Sequence, residues 1–485
     1  MKQQQNNTSA LRDHAASNLR AQGIDGMMQR SLAVLLLMLL PLCGMAQHHR
    51  FATGSLQDDE GYAQVPAKAT MLTRNYSNLP PRASLQPYCP TPRDQGSYST
   101  CCSWAVAYAA RTIMEATVDG RTNSDENARD AFSPTFVYTK IKSPDDSECE
   151  GGSRLSDAMK LLKNMGVPKM STFYTTCSES IPMSAVLEAP SFRIKDYFRL
   201  FTPNAPAEKK IETTKMALAQ ERPVVISMEC YASFEESGAV WNGRDDEFLG
   251  QHAMCVVGYD DELYGGAFRI MNSWGTSWAD GGFVWVTYDD YARRVHYGYE
   301  MYLDEALSGK SRAKLSGSLE IKLSTGGVMP VSLVDGSYRV SRSYTSGTRY
   351  RVYLSNHEPA YVYVIGSDMT RADTILFPPT PDISPALVYS ANDIAIPDER
   401  YYIATDNTEG TDYLCLLYSR SAIDIDRFMK RLSASSGSFS ERVGNALGNM
   451  GVAAKDITFD PAQVKFSTRA SEAVLPIIVE IPHSR

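Results

Sequence analysis

The stretch Asp94-Gln95-Gly96-Ser97-Tyr98-Ser99-Thr100-Cys101-Cys102-Ser103-Trp104-Ala105 places a cysteine at the start of a predicted helix, six residues after a glutamine. A thiol is a strong nucleophile only as the thiolate, and its ordinary pKa of about 8.5 leaves only a small fraction ionised at neutral pH. The amino end of a helix carries partial positive charge and unpaired N–H groups, so position alone partly activates Cys101. The pattern predicts a nucleophile that needs an imidazolium partner.

Among the seven histidines, His252 has the most informative surroundings. Gln251 to Tyr259 reads as a buried strand, Asp260 to Gly266 as a turn, and Phe268 to Met271 as a second strand. A hairpin centred on Glu262 places His252 opposite Asn272, with Cβ atoms about 5 Å apart. The Asn272 oxygen can then accept the imidazole N–H and orient the ring. This interpretation depends on the pairing register, which a shift of one or two residues would change.

Four ordered blocks between about Leu79 and Leu303 resemble the papain-like cysteine peptidases. They are Asp94-Gln95-Gly96-Ser97 followed by Cys101 and Trp104-Ala105, then Cys149-Glu150-Gly151-Gly152, Gln251-His252-Ala253, and Asn272-Ser273-Trp274-Gly275-Thr276-Ser277-Trp278. A lone Cys–His pair is a weak signal, whereas four motifs in the family order are specific. The resemblance implies an α+β fold with two lobes, one helical and one an antiparallel β lobe, and implies peptide-bond hydrolysis.

The resemblance also implies roles for four catalytic residues. Cys101 would attack the scissile carbonyl, and His252 would hold the thiolate as an ion pair and later protonate the leaving amine. Asn272 would orient His252. The Gln95 amide and the Cys101 backbone N–H would stabilise the tetrahedral oxyanion.

Further positions are implied to contact the substrate. Gly151 and Gly152 would leave backbone groups free to pair with an extended peptide. Trp274 would shield the Asn–His hydrogen bond from water. Trp278 is a further substrate-binding candidate. The predicted specificity pocket, which suggests a mid-sized P2 side chain, is formed by Leu155, Ser227, Gln251 and Ala253.

The adjacent cysteines raise the question of which one is the nucleophile. Successive helical side chains point about 100° apart, so only one of them can face His252. The spacing from Gln95 selects Cys101. Cys102 stands where the plant enzymes of the family carry tryptophan, and we interpret it as a small buried residue.

Tyr98 stands where the family has the cysteine that bonds to the position of Cys149. Cys149 is therefore expected either to pair with Cys177 or to stay unpaired, and the sequence leaves both open. The nine cysteines have no regular spacing and no CxxC motif. They indicate neither a zinc site nor a disulfide scaffold, and we expect no metal and no cofactor.

The amino-terminal region predicts export. Residues 32–42 form an apolar run that follows Arg30 and precedes Gly44-Met45-Ala46, as in a signal peptide cleaved before Gln47. The run is too short to span a membrane. We therefore expect residues 1–46 to be an extension with a signal peptide, and the mature chain to be in a bacterial periplasm or outside the cell. Lipidation at Cys43 is the weaker alternative, because Leu42 is a poor residue before such a site.

The remaining chain divides into four predicted segments. Residues 47–78 are a short leader or prosegment; it could occupy the cleft, but its polar composition favours a flexible tether. Residues 79–307 are the peptidase domain, and residues 308–318 are a linker. Residues 319–485 are a β-rich accessory domain of β-sandwich type with two short helices. Its strands are predicted near residues 319–323, 350–354, 361–365, 401–404, 413–418 and 474–481, and its helices near 423–432 and 440–447.

The accessory domain has no evident catalytic set, since His357 and His483 lack obvious partners in the sequence. We interpret it as a module that binds another protein or as a purely structural one. The formal charge of −8 and the absence of any Lys/Arg run argue against nucleic-acid binding. The sequence thus predicts an exported cysteine endopeptidase acting on proteins or peptides. The alternatives are a catalytically silent papain-fold binding protein and a cysteine-dependent transpeptidase or ligase.

Overall fold

The computed structural model describes residues 51–69, 79–303, 315–388, 394–398, 400–470 and 473–485. The predicted signal peptide, its cleavage site and Cys43 lie outside these residues. So do residues 70–78 of the predicted leader and most of the predicted linker. Within the described ranges, no helix combines the length and the apolar character needed to cross a bilayer.

The helical lobe is built around one buried helix, α2. It begins as an α-helix at Cys101–Ser103, continues as a π-helix through Trp104–Arg111, and ends as an α-helix at Thr112–Asp119. Its first half is apolar on all faces and fully enclosed, as expected for a central core helix. The other helices before the C-terminal domain are α1 Asp59–Gln64, α3 Ser124–Arg129, α4 Pro134–Ile141, α5 Leu155–Asn164, α6 Met183–Glu188, α7 Ala207–Ala219, α8 Ala232–Glu235 and α9 Tyr288–Arg294.

The β lobe is one largely antiparallel sheet of eight strands. Its order is β2-β8-β3-β5-β6-β7-β4, with β1 added to β5. The central strands β3 and β5 are buried along most of their length, which matches their continuous apolar sequence. The strands are β1 Arg82–Ser84, β2 Asp196–Arg199, β3 Val224–Tyr231, β4 Val240–Trp241, β5 Phe248–Asp260, β6 Ala267–Met271, β7 Phe283–Thr287 and β8 Val295–Tyr302.

The predicted β5–β6 hairpin is present, but its register differs from the prediction. Cys255 pairs with Met271, two residues beyond the partner that a turn centred on Glu262 would give, and an irregularity follows Val256. The cause is the turn, which contains a short 3₁₀ helix at Leu263–Gly265 and is centred later in the chain. His252 is therefore not directly opposite Asn272, which follows the end of β6.

The C-terminal domain consists of two sheets around one hydrophobic core, so the β-sandwich prediction is confirmed. One sheet has the order β10-β11-β22-β19-β14-β15, with β12 on β22 and β16 on β14; the other has the order β17-β13-β9-β21-β20, with β18 on β13. Buried residues alternate along β13 and β22, as in strands with one face toward a core. The strands are β9 Leu315–Leu323, β10 Val331–Val334, β11 Ser337–Val340, β12 Tyr344–Thr345, β13 Arg349–Asn356, β14 Ala360–Ser367, β15 Thr374–Phe377, β16 Ala386–Leu387, β17 Ile394–Ile396, β18 Ile403–Ala404, β19 Gly410–Ser419, β20 Ile457–Phe459, β21 Val464–Thr468 and β22 Leu475–Ser484.

All six predicted strands of this domain are present, and so are both helices, α10 Ile425–Ala434 and α11 Phe439–Leu447. The predicted linker extends too far, because β9 begins at Leu315 and includes Ser316-Gly317-Ser318. The domain packs on the β2–β8 edge of the first sheet. Phe198 and Tyr302 from that edge are buried in the hydrophobic core of the C-terminal domain.

Candidate active site

The helical and β lobes meet where α2 begins beside β5. Cys101 is the first residue of α2, and its Sγ accepts a hydrogen bond of 3.4 Å from the backbone N–H of Ala253. Ala253 directly follows His252 on β5. The helix start and the strand thus bring Cys101 next to the segment that carries His252.

A hydrogen-bonded chain holds the imidazole of His252. Its Nε2 lies 2.7 Å from Asn272 Oδ1, and that oxygen also accepts from the Ser273 N–H at 2.7 Å. Trp274 stacks on the imidazole with ring centroids 4.7 Å apart. His252 Nδ1 is buried and has no hydrogen-bond partner among the described residues. The ring is therefore fixed through Nε2 and keeps Nδ1 available.

Gln95 lies in the same cleft, although its amide already has partners. Its Nε2 donates to Tyr98 O at 2.8 Å and to Ala52 O at 3.2 Å, and its Oε1 accepts from Ser273 Oγ at 2.6 Å. Trp274 Nε1 donates to the same Ala52 carbonyl at 3.1 Å. Two side chains of the site therefore bind one carbonyl oxygen of the leader.

Leader residues 51–57, termed the cleft segment, pass directly over this site. Gly54 O accepts from Ser153 N and Leu56 N donates to Ser153 O, both at 2.9 Å, so the segment pairs like an added strand. On its other side Ser55 N donates to Gln251 O at 3.1 Å. The prediction of a flexible tether is therefore wrong for the described leader residues, because backbone pairing that the polar sequence does not reveal holds them.

The glycine pair Gly151-Gly152 was predicted to pair with an extended peptide. Gly152 lies against the cleft segment, but the backbone groups that pair with this segment belong to Ser153. Gly152 has a φ of +73°, and a Cβ there would lie 2.6 Å from Gly54 O. Ser153 supplies both backbone hydrogen bonds. The sequence prediction missed Ser153, although its position directly after the glycine pair was the available signal.

The side chain of Ser55 points toward the residues predicted to form a specificity pocket. Ser55 Oγ is 2.8 Å from Ser227 Oγ, and Ser227 Oγ is 3.4 Å from Gln251 Oε1. Cys102 Sγ donates to Ser153 O at 3.2 Å. The two adjacent thiols therefore have different backbone partners, the Ala253 N–H for Cys101 and the Ser153 carbonyl for Cys102, and they also hydrogen-bond each other.

The site is closed to solvent in the structure, in which the cleft segment is in place. Cys101 and His252 have no exposed surface. Burial raises the pKa of the Cys101 thiol well above its ordinary value. Burial also lowers the pKa of His252 to about 4, against the opposing effect of the Asn272 hydrogen bond. With the leader in place, both groups are neutral near pH 7.

The pKa of the Cys102 thiol is shifted in the opposite direction from that of Cys101. Burial acts to raise its pKa, but hydrogen bonds with Cys101, Ser55 and Ser153 together lower it. Ser55 belongs to the cleft segment, so this contribution depends on the leader. The lowered pKa of Cys102 therefore describes the closed site.

Other predicted substrate-binding residues lie away from the cleft segment's backbone contacts. Leu155 begins α5 and is buried in the hydrophobic core. Trp278 is also buried, donates from Nε1 to Glu235 O at 3.1 Å, and packs edge-on against Trp274. Gly151 lies against Asp146.

The alternative for Cys149 is resolved in favour of a disulfide. Cys149 and Cys177 are bonded, with Cα atoms 5.9 Å apart. Cys89, Cys101, Cys102, Cys230, Cys255 and Cys415 are free and buried. The bond closes a loop next to the glycine pair and restricts the chain there.

The histidines of the C-terminal domain have partners, contrary to the sequence interpretation. His357 Nδ1 is 3.2 Å from Ser316 Oγ, and His483 Nδ1 is 3.0 Å from Ser346 Oγ. His483 Nε2 also lies 3.2 Å from Asp412 Oδ1, and Asp406 completes a cluster whose potential ligand atoms lie within 4.8 Å of one another. The His483–Asp412 hydrogen bond holds part of this cluster, whereas Asp406 Oδ2 is buried without a hydrogen-bond partner among the described residues, and the geometry alone identifies no ligand.

Comparisons with known proteins agree with this geometry. Residues 84–302 match the model of the papain family cysteine proteases. An uncharacterised peptidase C1-like protein of Acanthamoeba polyphaga mimivirus is 24% identical over 208 residues, which cover 40% of this chain and 63% of that protein. Cysteine proteinase 3 of Entamoeba histolytica is 25% identical over 206 residues, covering 41% of this chain and 59% of that protein. The chain thus spans less than two thirds of the curated relatives it matches.

Among solved structures, xylellain, a cysteine protease from Xylella fastidiosa, aligns over 53% of this chain and 98% of its own with a TM-score of 0.44 and 22% identity. Residues 84–302, less than half of the chain, thus match the papain family model, and the fold of this region is papain-like. The C-terminal β-sandwich lies outside that match.

Proposed function

We propose that the protein is an exported cysteine endopeptidase that is made in a closed form. The observation that carries the proposal is the joint placement of Cys101 at a helix start, the His252–Asn272 hydrogen bond of 2.7 Å and the Gln95 amide in one cleft. Nucleophilic catalysis needs these parts: a nucleophile, a base with a fixed ring, and a donor for the oxyanion.

In the proposed mechanism, His252 Nδ1 takes the proton of Cys101, and the thiolate attacks the scissile carbonyl carbon. The tetrahedral oxyanion accepts hydrogen bonds from Gln95 Nε2 and from the Cys101 backbone N–H. His252 then donates its proton to the leaving amine, which gives an acyl-enzyme thioester. Water attacks the thioester with His252 as base and regenerates the thiol.

The cleft segment supports the closed form. The Ala52 carbonyl accepts from Gln95, the residue that would bind the oxyanion, so the segment occupies a hydrogen-bond donor that catalysis would need. Burial favours the neutral forms of Cys101 and His252 while the leader is in place, which opposes formation of the ion pair. Opening would hydrate both groups and thereby lower the pKa of the thiol and raise that of the imidazole.

The extracellular or periplasmic setting is part of the proposal. The Cys149–Cys177 disulfide supports it, because such bonds persist mainly in oxidising compartments. The substrates would be proteins or peptides that bind in extended form along Ser153 and Gln251, as the cleft segment does.

Cleavage of a peptide mixture by purified protein tests this function. Cys101→Ala should abolish cleavage, whereas Cys102→Ala should retain it. Equal cleavage by the Cys101→Ala variant would overturn the proposal. Product masses distinguish hydrolysis from ligation. If the protein cleaves no peptide after removal of residues 51–57, the alternative of a catalytically silent papain-fold binding protein is favoured. The observation that supports this alternative is the complete burial of Cys101.

A further inference from the structure

The leader does not end at the active site; it continues into the junction between the two domains. After α1, residues 65–69, termed the anchor segment, run between β2 of the peptidase domain and a loop at residues 382–384 of the C-terminal domain. We propose that the C-terminal domain binds the anchor segment and thereby holds the cleft segment over the active site. This inference rests on the proposed function for its biological meaning.

The backbone of residues 66–68 joins both domains, with Ala67 itself bonded to the C-terminal domain. Its N–H donates to Asp382 O at 2.6 Å, and its carbonyl accepts from Ser384 N at 2.8 Å. On the opposite side, Arg199 N donates to Pro66 O and Lys68 N donates to Arg199 O, each at 3.0 Å. The anchor segment therefore lies as a connecting strand between the two domains.

Side chains reinforce this junction. Arg199 donates from Nε to Val65 O at 2.8 Å and pairs through Nη2 with Asp382 Oδ2 at 2.9 Å, so one guanidinium joins the leader to the C-terminal domain. Ala69 is buried in the hydrophobic core of that domain. The C-terminal domain thus provides backbone, ionic and apolar contacts to the leader.

Between the two segments, α1 keeps the leader on the peptidase domain. Tyr62 is buried, and its hydroxyl donates to Phe201 O at 2.7 Å. The cleft segment ends at Gln57, two residues before α1 begins at Asp59. While the C-terminal domain binds the anchor segment, a cleft segment that dissociates from the active site remains close to it. Its effective concentration there is high, so it rebinds. Loss of the anchor would lower that concentration and leave the active site open for longer.

The test compares hydrogen exchange of residues 51–57 in the full-length chain, with Cys101→Ser in every protein so that self-cleavage cannot interfere. Ala67→Pro removes the donor to Asp382 O, and Asp382→Ala removes the partner of Arg199. Tyr361→Phe is the matched control, because the Tyr361 hydroxyl donates to Asp196 at 2.8 Å and joins the domains without touching the leader. Exchange of β19 reports whether each variant has folded.

We expect exchange of the cleft segment to become about fivefold to tenfold faster with Ala67→Pro, corresponding to one lost backbone hydrogen bond. Asp382→Ala, at a side chain that is more than half exposed, should give a smaller increase of up to about fivefold. Tyr361→Phe should leave the rate unchanged.

Unchanged exchange of residues 51–57 in both anchor variants, with β19 still protected, would overturn the proposed anchoring. Equal acceleration by Tyr361→Phe would also overturn it, because domain docking and not leader binding would then control the site. These exchange rates do not depend on catalysis. If the wild-type protein, which keeps Cys101, does not cleave peptides, the proposed function is refuted. The result on anchoring remains valid.

Discussion

At the residue scale, the buried side chain of Gln95 both donates to the leader and is held in place by a neighbouring residue. Its amide N–H groups face the leader carbonyl, and its Oε1 is held by Ser273 Oγ. We predict that Gln95→Ala lowers kcat by about 100-fold with little change in KM, because an oxyanion donor acts mainly in the transition state. Steady-state kinetics on a peptide substrate after leader removal measure this.

Ser273→Ala is the matched control for that experiment, since it removes the support for Gln95 and keeps the amide. It should lower kcat much less. A Gln95→Ala variant with wild-type kcat would contradict the assigned role, and a thermal scan would show whether any loss comes from unfolding.

The buried His252 predicts how the closed form responds to acid. Its pKa is about 4 in the folded protein and about 6.5 when exposed, so between these values the unfolded or opened chain binds the extra proton. Stability therefore rises with pH across this window and is lost as pH falls through it, with a limiting slope of about 1.4 kcal/mol per pH unit for one group.

We accordingly predict that the leader opens more readily at pH 4.5 than at pH 7. The rate at which iodoacetamide alkylates Cys101 measures the opening. This rate is corrected for the intrinsic pH dependence of alkylation, which is measured on a free thiol. His252→Gln, which cannot be protonated, should remove the extra opening at low pH. An identical corrected profile in that variant would contradict the prediction.

The sequence was a good guide to single residues where the chemistry restricts the residue type. Cys101, His252, Asn272 and Gln95 come together in the structure as the motif spacing predicts. Asn272 was predicted through an incorrect hairpin register, because the local sequence does not indicate the 3₁₀ helix in the turn. The Ala52 carbonyl had no signal in the sequence, since any residue provides the same backbone oxygen.

At the element scale, the cleft segment behaves as a short added strand with an aromatic contact at its start. Phe51 stacks on Trp274 with centroids 4.7 Å apart and rings nearly parallel. We predict that Phe51→Ala weakens closure by about 1 kcal/mol and raises the rate of Cys101 alkylation about fivefold. Mass-mapped labelling at fixed pH measures the change.

Leu56→Ala provides the comparison within the same segment, because that side chain is 40% exposed. It should change the rate much less. Equal rates for wild type and Phe51→Ala would mean that the aromatic contact does not contribute to closure.

At this scale the sequence-based prediction of a flexible tether was wrong for the described leader residues. These residues are polar and lack periodicity, so they predict no stable element of their own. Their order comes from groups supplied by other parts of the chain, such as the backbone of Ser153 and Gln251. Such tertiary pairing leaves little trace in the local sequence. The strands of the C-terminal domain, in contrast, carry their own alternation and were predicted well.

At the scale of the whole molecule, the two domains share an apolar junction. Phe198 and Tyr302 of the peptidase sheet are buried with the core of the C-terminal domain, and the anchor segment lies beside them. We predict that both domains unfold in one calorimetric transition. Phe198→Ala should destabilise the protein by about 3 to 5 kcal/mol or separate the transition into two.

Two independent transitions in the wild-type protein, with neither shifted by Phe198→Ala, would contradict this prediction. The sequence indicated two domains from the change in pattern after Leu303. It could not indicate their docking, because the residues at the junction are ordinary strand residues whose partners lie far along the chain.

The central claim is that Cys101 is the nucleophile and that the leader controls access to it. A thiol-directed epoxide peptide, followed by mass mapping, tests both parts in one measurement. We expect slow modification of intact protein, rapid modification at Cys101 after removal of residues 51–57, and no rapid modification of the His252→Ala variant. Modification at Cys102 alone, or equal rates with and without the leader, would contradict it.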